Sequence, residues 1–171
     1  MRLFFALWPD ADTKHQLESV AHKLRLAAPS PLVPAANYHL TVAFVGEVLD
    51  SRLAQLRTIG ASQRAHCCSI RLDAIEFWAK PRIVVAAAQE IPAALRGLWA
   101  RLHEDLALPA LPLRAHVTLA RKVTQAPVPQ AMSPIEWSMS SLSLVRSETA
   151  GIHSAYTVVD TWPLLDERQI P

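Results

Sequence analysis

Two five-residue segments of the chain share one pattern of residue types. The sequence HLTVA at residues 39–43 returns as HVTLA at residues 116–120, so that a histidine, an aliphatic residue, a threonine, an aliphatic residue and an alanine recur in order. Each segment alternates as a half-buried strand does, which predicts that its histidine and threonine share one face. In the first segment, we expect Leu40, Val42 and Phe44 to form the opposite, apolar face.

A pair of imidazoles is suited to proton transfer near neutral pH. One neutral ring accepts a proton while a protonated ring donates one, and the rate is then bell-shaped in pH. His39 and His116 could therefore open a phosphodiester across which they face each other, without a metal ion. From the residue types alone, two unrelated structural strands explain the repetition equally well, because alternation is typical of any strand.

Composition narrows the class of protein. The chain has 171 residues, 51% of them hydrophobic, which fits a single folded domain over residues 1–171. Its formal net charge of only +2 produces no strong positive electrostatic field that would attract long nucleic acids. It contains 4 glycines and no glycine-rich phosphate loop, which argues against dinucleotide and nucleoside-triphosphate folds. The adjacent Cys67 and Cys68 match no zinc or disulfide framework and suit a reducing compartment. With neither a membrane-length apolar run nor a signal peptide, we expect a cytoplasmic protein.

Hydrophobic periodicity predicts seven strands and three helices. The strands are expected at about 2–7, 38–45, 68–78, 82–88, 114–121, 135–145 and 155–162, and the helices from Asp10 to about Ala27, from Asp50 or Ser51 to about Gln63, and from Pro92 to about Leu106. Both halves have the order strand, helix, motif strand and further strands, which indicates an internal duplication. We expect a bilobed α+β fold with pseudo-twofold symmetry, in which helices flank two mainly antiparallel sheets around a central cleft.

Several segments extend the likeness beyond the two motifs: MRLFFAL at 1–7, YHLTVAFVGEV at 38–48, RAHVTLAR at 114–121 and LVRS at 144–147. With them, the chain resembles the two-histidine phosphoesterases over nearly its whole length, and among them the RNA 2′,3′-cyclic phosphodiesterases, also called bacterial 2′-5′ RNA ligases. That family is marked by two His-x-Thr motifs, each followed by an aliphatic residue. Val42 stands where the family often has leucine, which is a conservative difference.

The resemblance implies that both histidines face a central cleft. It implies hydrolysis of a 2′,3′-cyclic phosphate at an RNA end to a 2′-phosphate, and some members also join or cleave 2′-5′ linkages. The expected partners are RNA ends or small cyclic nucleotides, with no cofactor, no metal and no obligate protein partner.

In-line opening of the cyclic ester needs a base at the attacking water and an acid at the leaving O3′. The chain does not state which histidine is the acid; the arrangement we favour has His39 as the acid and His116 as the base. Thr41 and Thr118 are expected to donate hydrogen bonds to the non-bridging oxygens. Arg121 resembles the arginine that follows the family's second motif, and it would neutralise the phosphate. Strict alternation sends Arg121 to the face opposite His116, so a bulge or a strand end must redirect it.

Three aromatic residues are candidates to stack on the terminal base: Phe5, Tyr38 and Tyr156. Core packing is the alternative for each of them. Two other functions stay open. The same histidines and threonines could bind RNA ends or nucleotides in a non-catalytic module, or His39 and His116 could serve a metallohydrolase, although the sequence offers that metal site no clustered carboxylates.

Overall fold

Nine strands and three α-helices make up the described part of the chain in the computed structural model, which covers residues 1–26, 28–109, 112–150 and 153–166. In chain order they are β1 (Arg2–Leu7), α1 (Ala11–His22), β2 (Leu40–Glu47), α2 (Leu53–Ser62), β3 (Cys68–Leu72), β4 (Ala74–Trp78), β5 (Ile83–Ala87), α3 (Ala93–Asp105), β6 (His116–Arg121), β7 (Ile135–Met139), β8 (Ser141–Ala150) and β9 (His153–Pro163). None of the helices among these residues is long and apolar enough to cross a membrane.

The strands pair antiparallel in three sheets within the described residues. Their orders are β2-β1-β8-β9, β3-β7 and β4-β5-β6. The predicted α+β class with antiparallel sheets is confirmed, but the structure has three sheets where the sequence predicted two.

The additional sheet arises because two of the predicted strands change partners midway. The predicted strand 68–78 divides at Asp73, whose N–H donates to the carbonyl of Ala87 at 3.0 Å and whose carboxylate accepts from the N–H of Gln89 at 3.2 Å. The predicted strand 135–145 divides at Ser140. The apolar alternation shifts by one residue near both points, from Leu72 to Ile75 and from Met139 to Leu142, but such a shift does not state that a strand changes its partner.

The first helix begins where the sequence predicts and ends earlier. The Asp10 carboxylate accepts from the N–H of Thr13 at 2.7 Å, and this bond lowers the pKa of Asp10 below its ordinary value. The helix ends at His22, and the predicted end at Ala27 lies outside the described residues. After the helix, the N–H of Arg25 donates to the Gln130 side chain at 3.3 Å instead of to a helical carbonyl.

The other two helices lie close to their predicted positions. A 3-10 turn at Asp50–Arg52 leads into α2, which ends one residue before the predicted Gln63. In α3, Pro92 stands directly before the first helical residue. One continuous core joins the inner face of β1 to the buried faces of all three helices.

Packing brings the two motif strands together. Helix α3 packs on β2, α1 packs on β6 and β7, and α2 packs on β8 and β9. Although β2 and β6 belong to different sheets, they contact each other directly. The repeated motifs are therefore neighbours in space.

Candidate active site

A bulge interrupts β6 immediately after its threonine. Thr118 pairs with Val85 and Ala120 pairs with Val84, so Leu119 is an extra residue without a partner on β5. The bulge reverses the alternation for the residues that follow it. His116, Thr118 and Arg121 consequently share one face, because their β5 partners are alternate residues: Ala87, Val85 and Ile83.

The same irregularity occurs in β2. Thr41 pairs with Ala6 and Ala43 pairs with Phe5, which leaves Val42 as the extra residue. Phe44 therefore shares the face of Thr41, and its side chain is 63% exposed. The expectation that Phe44 belongs to the buried face was wrong, because the bulge turns it over. Phe44 follows His39 by the same interval at which Arg121 follows His116.

One open cavity of about 350 Å³ unites the residues to which the sequence assigns chemistry. Both histidines, both threonines and Arg121 line it. The bulge at Leu119 turns Arg121 to the face of His116, which strict alternation would not do. The structure thus brings together all five candidate catalytic and phosphate-binding residues.

The two imidazoles are oriented by equivalent hydrogen bonds. Nδ1 of His39 lies 2.7 Å from the carbonyl oxygen of Asn37, and Nδ1 of His116 lies 2.6 Å from that of Arg114. A carbonyl oxygen only accepts, so each Nδ1 carries the hydrogen and donates it. Nε2 is then the nitrogen of each ring that can exchange a proton with a substrate.

Burial disfavours the charged form of both rings. It lowers the pKa of His39 to about 4, assisted by the positive charges of Arg121 and His116 and opposed by the bond to Asn37. Burial also lowers the pKa of His116 below its ordinary value, but the bond to the Arg114 carbonyl and the Glu76 carboxylate oppose that change. The positive charges of Arg114 and Arg121 lower the pKa of His116 further, and Glu76 is the carboxylate that acts on this ring.

Aromatic rings surround His39. The ring centroids of Phe4, Trp8 and Tyr156 lie 5.1, 5.4 and 5.1 Å from that of His39. This wall explains the strong burial of the imidazole, and it restricts the ring to the orientation that the Asn37 carbonyl selects.

Trp78 forms the wall beside His116. The two ring centroids lie 4.4 Å apart. The indole N–H donates to Glu76 Oε2 at 2.6 Å, and Arg114 both donates to the same oxygen at 2.8 Å and covers the Trp78 ring at 3.8 Å. Trp78 is therefore fixed on both sides, and it also lines the cavity.

Two of the three predicted stacking residues lie elsewhere. Phe5 is fully buried and packs against Trp162, because alternation along β1 directs Phe4, not Phe5, to the cavity. Tyr38 is 1% exposed and lies in the core, where burial raises its pKa to about 12. Tyr156 does line the cavity, as expected.

Phe4, Phe44 and Trp78 line the cavity without having been predicted. The equivalence of Phe44 and Arg121 in the two repeats was the available signal. Within the described residues, no three histidine, cysteine, aspartate or glutamate side chains are grouped closely enough to hold a metal ion.

Known proteins match this chain in both sequence and fold. The family model described as LigT like Phosphoesterase matches residues 7–85. A Thermus thermophilus protein named RNA 2′,3′-cyclic phosphodiesterase is 30% identical over 98% of this chain and 92% of its own length. An Escherichia coli protein of the same name is 28% identical over 95% of this chain and 96% of its own.

Solved structures agree with these sequence matches. E. coli LigT complexed with NADP+ has a TM-score of 0.88 to this chain at 27% identity, and the complex with 3′-AMP has a TM-score of 0.88 at 26% identity. In both comparisons the match covers 95% of this chain and 97% of the other. The full-length match in sequence, the common fold and the paired histidine motifs show that this chain belongs to the LigT-like phosphoesterases of the two-histidine superfamily.

Proposed function

We propose that this protein hydrolyses the 2′,3′-cyclic phosphate at RNA ends to a 2′-phosphomonoester, with His39 and His116 as general acid and base. One observation carries the proposal. Two imidazoles, each with Nδ1 engaged by a backbone carbonyl and Nε2 available for proton exchange, line a single cavity. In-line opening of a cyclic phosphate needs one proton carrier on each side of phosphorus.

The other polar residues of the cavity have roles in binding the phosphate. The hydroxyls of Thr41 and Thr118 donate to the non-bridging oxygens, on which negative charge grows in the transition state. The Arg121 guanidinium neutralises the same group. His39 protonates the leaving O3′ and His116 takes the proton from the attacking water.

Exposed aromatic surface in the cavity is suited to a nucleobase. Phe44, Trp78 and Tyr156 line it, and stacking on such rings accepts any base. This supports an RNA end or a small cyclic nucleotide as the substrate.

The relatives support the same substrate class. Two of them are named RNA 2′,3′-cyclic phosphodiesterase, and LigT was solved with 3′-AMP, whose phosphate is on one of the two ribose oxygens that the cyclic ester joins. Formation of a 2′-5′ linkage opens the same cyclic ester with an RNA 5′-hydroxyl in place of water, so that the P–O5′ bond forms and the P–O3′ bond breaks. We propose it as a secondary activity.

A non-catalytic module that binds RNA ends is the second candidate. The shared phosphate-binding residues would serve it equally well. The two oriented imidazoles favour the enzyme, because binding alone needs no pair of proton carriers.

The test is product analysis with purified protein and an oligonucleotide that ends in a 2′,3′-cyclic phosphate, in the presence of a chelator. We expect turnover to a 2′-phosphate. Binding with unchanged substrate would instead establish the module, and activity that disappears in chelator would establish a metallohydrolase.

We also propose that the chain is one domain made of two related halves and that it acts in the cytoplasm. The equivalent carbonyl contacts of His39 and His116 and the equivalent bulges at Val42 and Leu119 support the duplication. The free thiols of Cys67 and Cys68 support a reducing compartment.

A further inference from the structure

A second, smaller cavity adjoins the catalytic one. Its volume is about 180 Å³, and it shares Pro81, Ile83 and Arg121 with the catalytic cavity. Arg82 and Lys122 line only this second cavity, which we call the basic pocket. The basic pocket is therefore reached through the side of the cleft on which Arg121 lies.

The charged residues that line the basic pocket are all cations. Arg82, Arg121 and Lys122 contribute three cations, and no carboxylate lines the pocket. None of the three forms an ion pair with a described residue, whereas Arg57 and Arg114 do. Three unpaired cations around a small concave surface attract an anion.

The backbone that carries two of these exposed cations is anchored. Arg82 and Lys122 both have left-handed backbone conformations, with φ of 65° and 57°, which are uncommon outside glycine. The N–H of Val123 donates to the Arg82 carbonyl at 3.0 Å, and the N–H of Arg82 donates to the Trp78 carbonyl at 2.8 Å. The turn that carries Arg82 is thereby tied to the end of β4 at Trp78 and to Val123 in the segment after β6.

The opposite wall is fixed as well. The segment at residues 31–33 runs along β6, where the N–H of Val33 donates to the Leu119 carbonyl at 2.8 Å and the N–H of Arg121 donates to the Pro31 carbonyl at 3.0 Å. The pocket thus has two anchored walls, which is a property of a preorganised site.

We propose that the basic pocket binds the phosphate on the 5′ side of the terminal nucleotide while the cyclic phosphate occupies the catalytic cavity. Successive phosphates of an RNA strand are separated by a single ribose, and Arg121 borders both cavities, so one guanidinium stands between the two phosphate sites. This inference rests on the proposed function, because it assigns the substrate's second phosphate.

The assignment predicts a preference among substrates. A cyclic nucleotide without a 5′-phosphate leaves the basic pocket empty. The same nucleotide with a 5′-phosphate, or the terminal nucleotide of an RNA strand, fills it and gains charge-assisted hydrogen bonds. We expect kcat/KM to be about tenfold or more higher for the two substrates that fill the pocket.

Three substrates show whether the 5′-side phosphate or a second base raises kcat/KM of the intact protein. They are adenosine 2′,3′-cyclic phosphate, its 5′-phosphorylated form, and the dinucleotide ApA with a 2′,3′-cyclic phosphate. The variants Arg82→Gln and Lys122→Gln remove one charge each from the pocket. Lys80→Gln is the matched control, because Lys80 is an exposed cation two residues from Arg82 and does not line the pocket.

We expect both pocket variants to lose about tenfold in kcat/KM on the phosphorylated nucleotide and on the dinucleotide, and to hydrolyse the unphosphorylated nucleotide like the wild-type protein. The salt dependence of kcat/KM on the dinucleotide should become shallower by about 0.7 in its logarithmic slope. The Lys80→Gln variant should match the wild type on all three substrates.

Equal losses on all three substrates, or no loss on any, would overturn the inference. A gain confined to the dinucleotide would assign the preference to its second base and would also overturn it. If the wild-type protein hydrolyses none of the three substrates, the proposed function itself fails. Activity on the unphosphorylated nucleotide shows in addition that each variant is folded.

Discussion

His39 and His116 are each held by a carbonyl oxygen two residues earlier in the chain, at Asn37 and Arg114. This contact fixes the tautomer, so that the same nitrogen of each ring faces the chemistry. Burial then keeps both rings neutral in the free protein down to acidic pH, because it lowers both pKa values. A bound phosphate anion opposes that effect and favours one protonated ring.

The pH dependence of kcat/KM follows from these lowered pKa values. A lowered pKa means that the ring loses its proton at a lower pH, and the acid must be protonated when substrate binds. We therefore expect kcat/KM to fall about tenfold per pH unit from pH 7 to pH 9. Glu76→Gln should leave this limb unchanged and move the acidic limb, on which the base becomes protonated, to lower pH, because the Glu76 carboxylate raises the pKa of His116. A plateau that extends to pH 8 would contradict the assignment.

The sequence did not predict that Phe44 lines the cavity. Its exposed ring stands in the cavity at the position that Arg121 holds in the second repeat. Phe44→Ala should raise KM for a cyclic nucleotide by about tenfold, because stacking contributes about 1–3 kcal/mol per base. Leu49→Ala is the control, since Leu49 is 79% exposed and does not line the cavity. An equal change of KM in both variants would show that Phe44 does not contact the substrate.

Residue types and spacing were sufficient to single out both histidines and both threonines, which line one cavity. They were insufficient for the aromatic wall, where Phe4 replaces Phe5 and Tyr38 is buried. Alternation states that neighbouring residues face opposite ways, but it does not state which of two aromatic neighbours faces the core.

At the scale of elements, two short irregularities determine the site. The bulges at Val42 and Leu119 turn the following residues over, so that Phe44 and Arg121 join the face of the histidines. The sequence showed that Arg121 needed such a bulge, because its spacing from His116 is odd. For Phe44 the residue type gave no such sign, since an apolar residue suits the buried face equally well, and the signal was its position equivalent to Arg121.

The close packing of α2 on β9 can be tested by substitution of a glycine. A Cβ at Gly60 would lie 2.3 Å from the Cη2 and Cζ3 atoms of Trp162. Helix propensity alone favours alanine over glycine by about 1 kcal/mol, but overpacking costs about 1–3 kcal/mol or more. We expect Gly60→Ala to lower the free energy of unfolding in a urea titration.

Gly97 in α3 provides the comparison, because its Cβ would meet only the flexible end of Arg101 at 3.3 Å. Gly97→Ala should leave stability unchanged or raise it by up to about 1 kcal/mol. A Gly60→Ala variant as stable as Gly97→Ala would mean that α2 does not sit against Trp162 as described.

At the scale of the molecule, the site exists because strands from separate sheets meet. β2 belongs to the four-stranded sheet and β6 to the three-stranded sheet. His116 and Thr118 lie in β6, Thr41 lies in β2, and His39 directly precedes β2. The sequence predicted the class of fold and a cleft between repeated halves. It did not predict three sheets, because the change of partner at Asp73 and Ser140 depends on contacts with distant strands.

The buried imidazoles should make global stability sensitive to pH. The pKa of His39 is lowered to about 4 in the folded protein from about 6.5 in the unfolded chain, so protonation favours the unfolded chain. This contribution is complete above pH 6.5 and is lost as the pH falls towards 4. The free energy of unfolding should therefore fall less between pH 7 and pH 5 in the double variant His39→Gln, His116→Gln than in the wild type.

His15→Gln, which removes an exposed imidazole from α1, is the control for that comparison. Urea titrations at both pH values supply the measurement. An equal loss of stability in the double variant and the wild type would show that the two rings are not buried as described.

We propose that His39 and His116 divide the two proton transfers between them. The test measures the variants His39→Ala and His116→Ala on two cyclic substrates, one with O3′ and one with sulfur in its place. The sulfur substrate needs no acid, because a thiolate leaves without a proton. Each variant should lose on the order of 10²–10⁴ in rate on the oxygen substrate. The sulfur substrate should restore most of the rate to His39→Ala and little to His116→Ala. Equal rescue of both variants, or of neither, would contradict the division of roles.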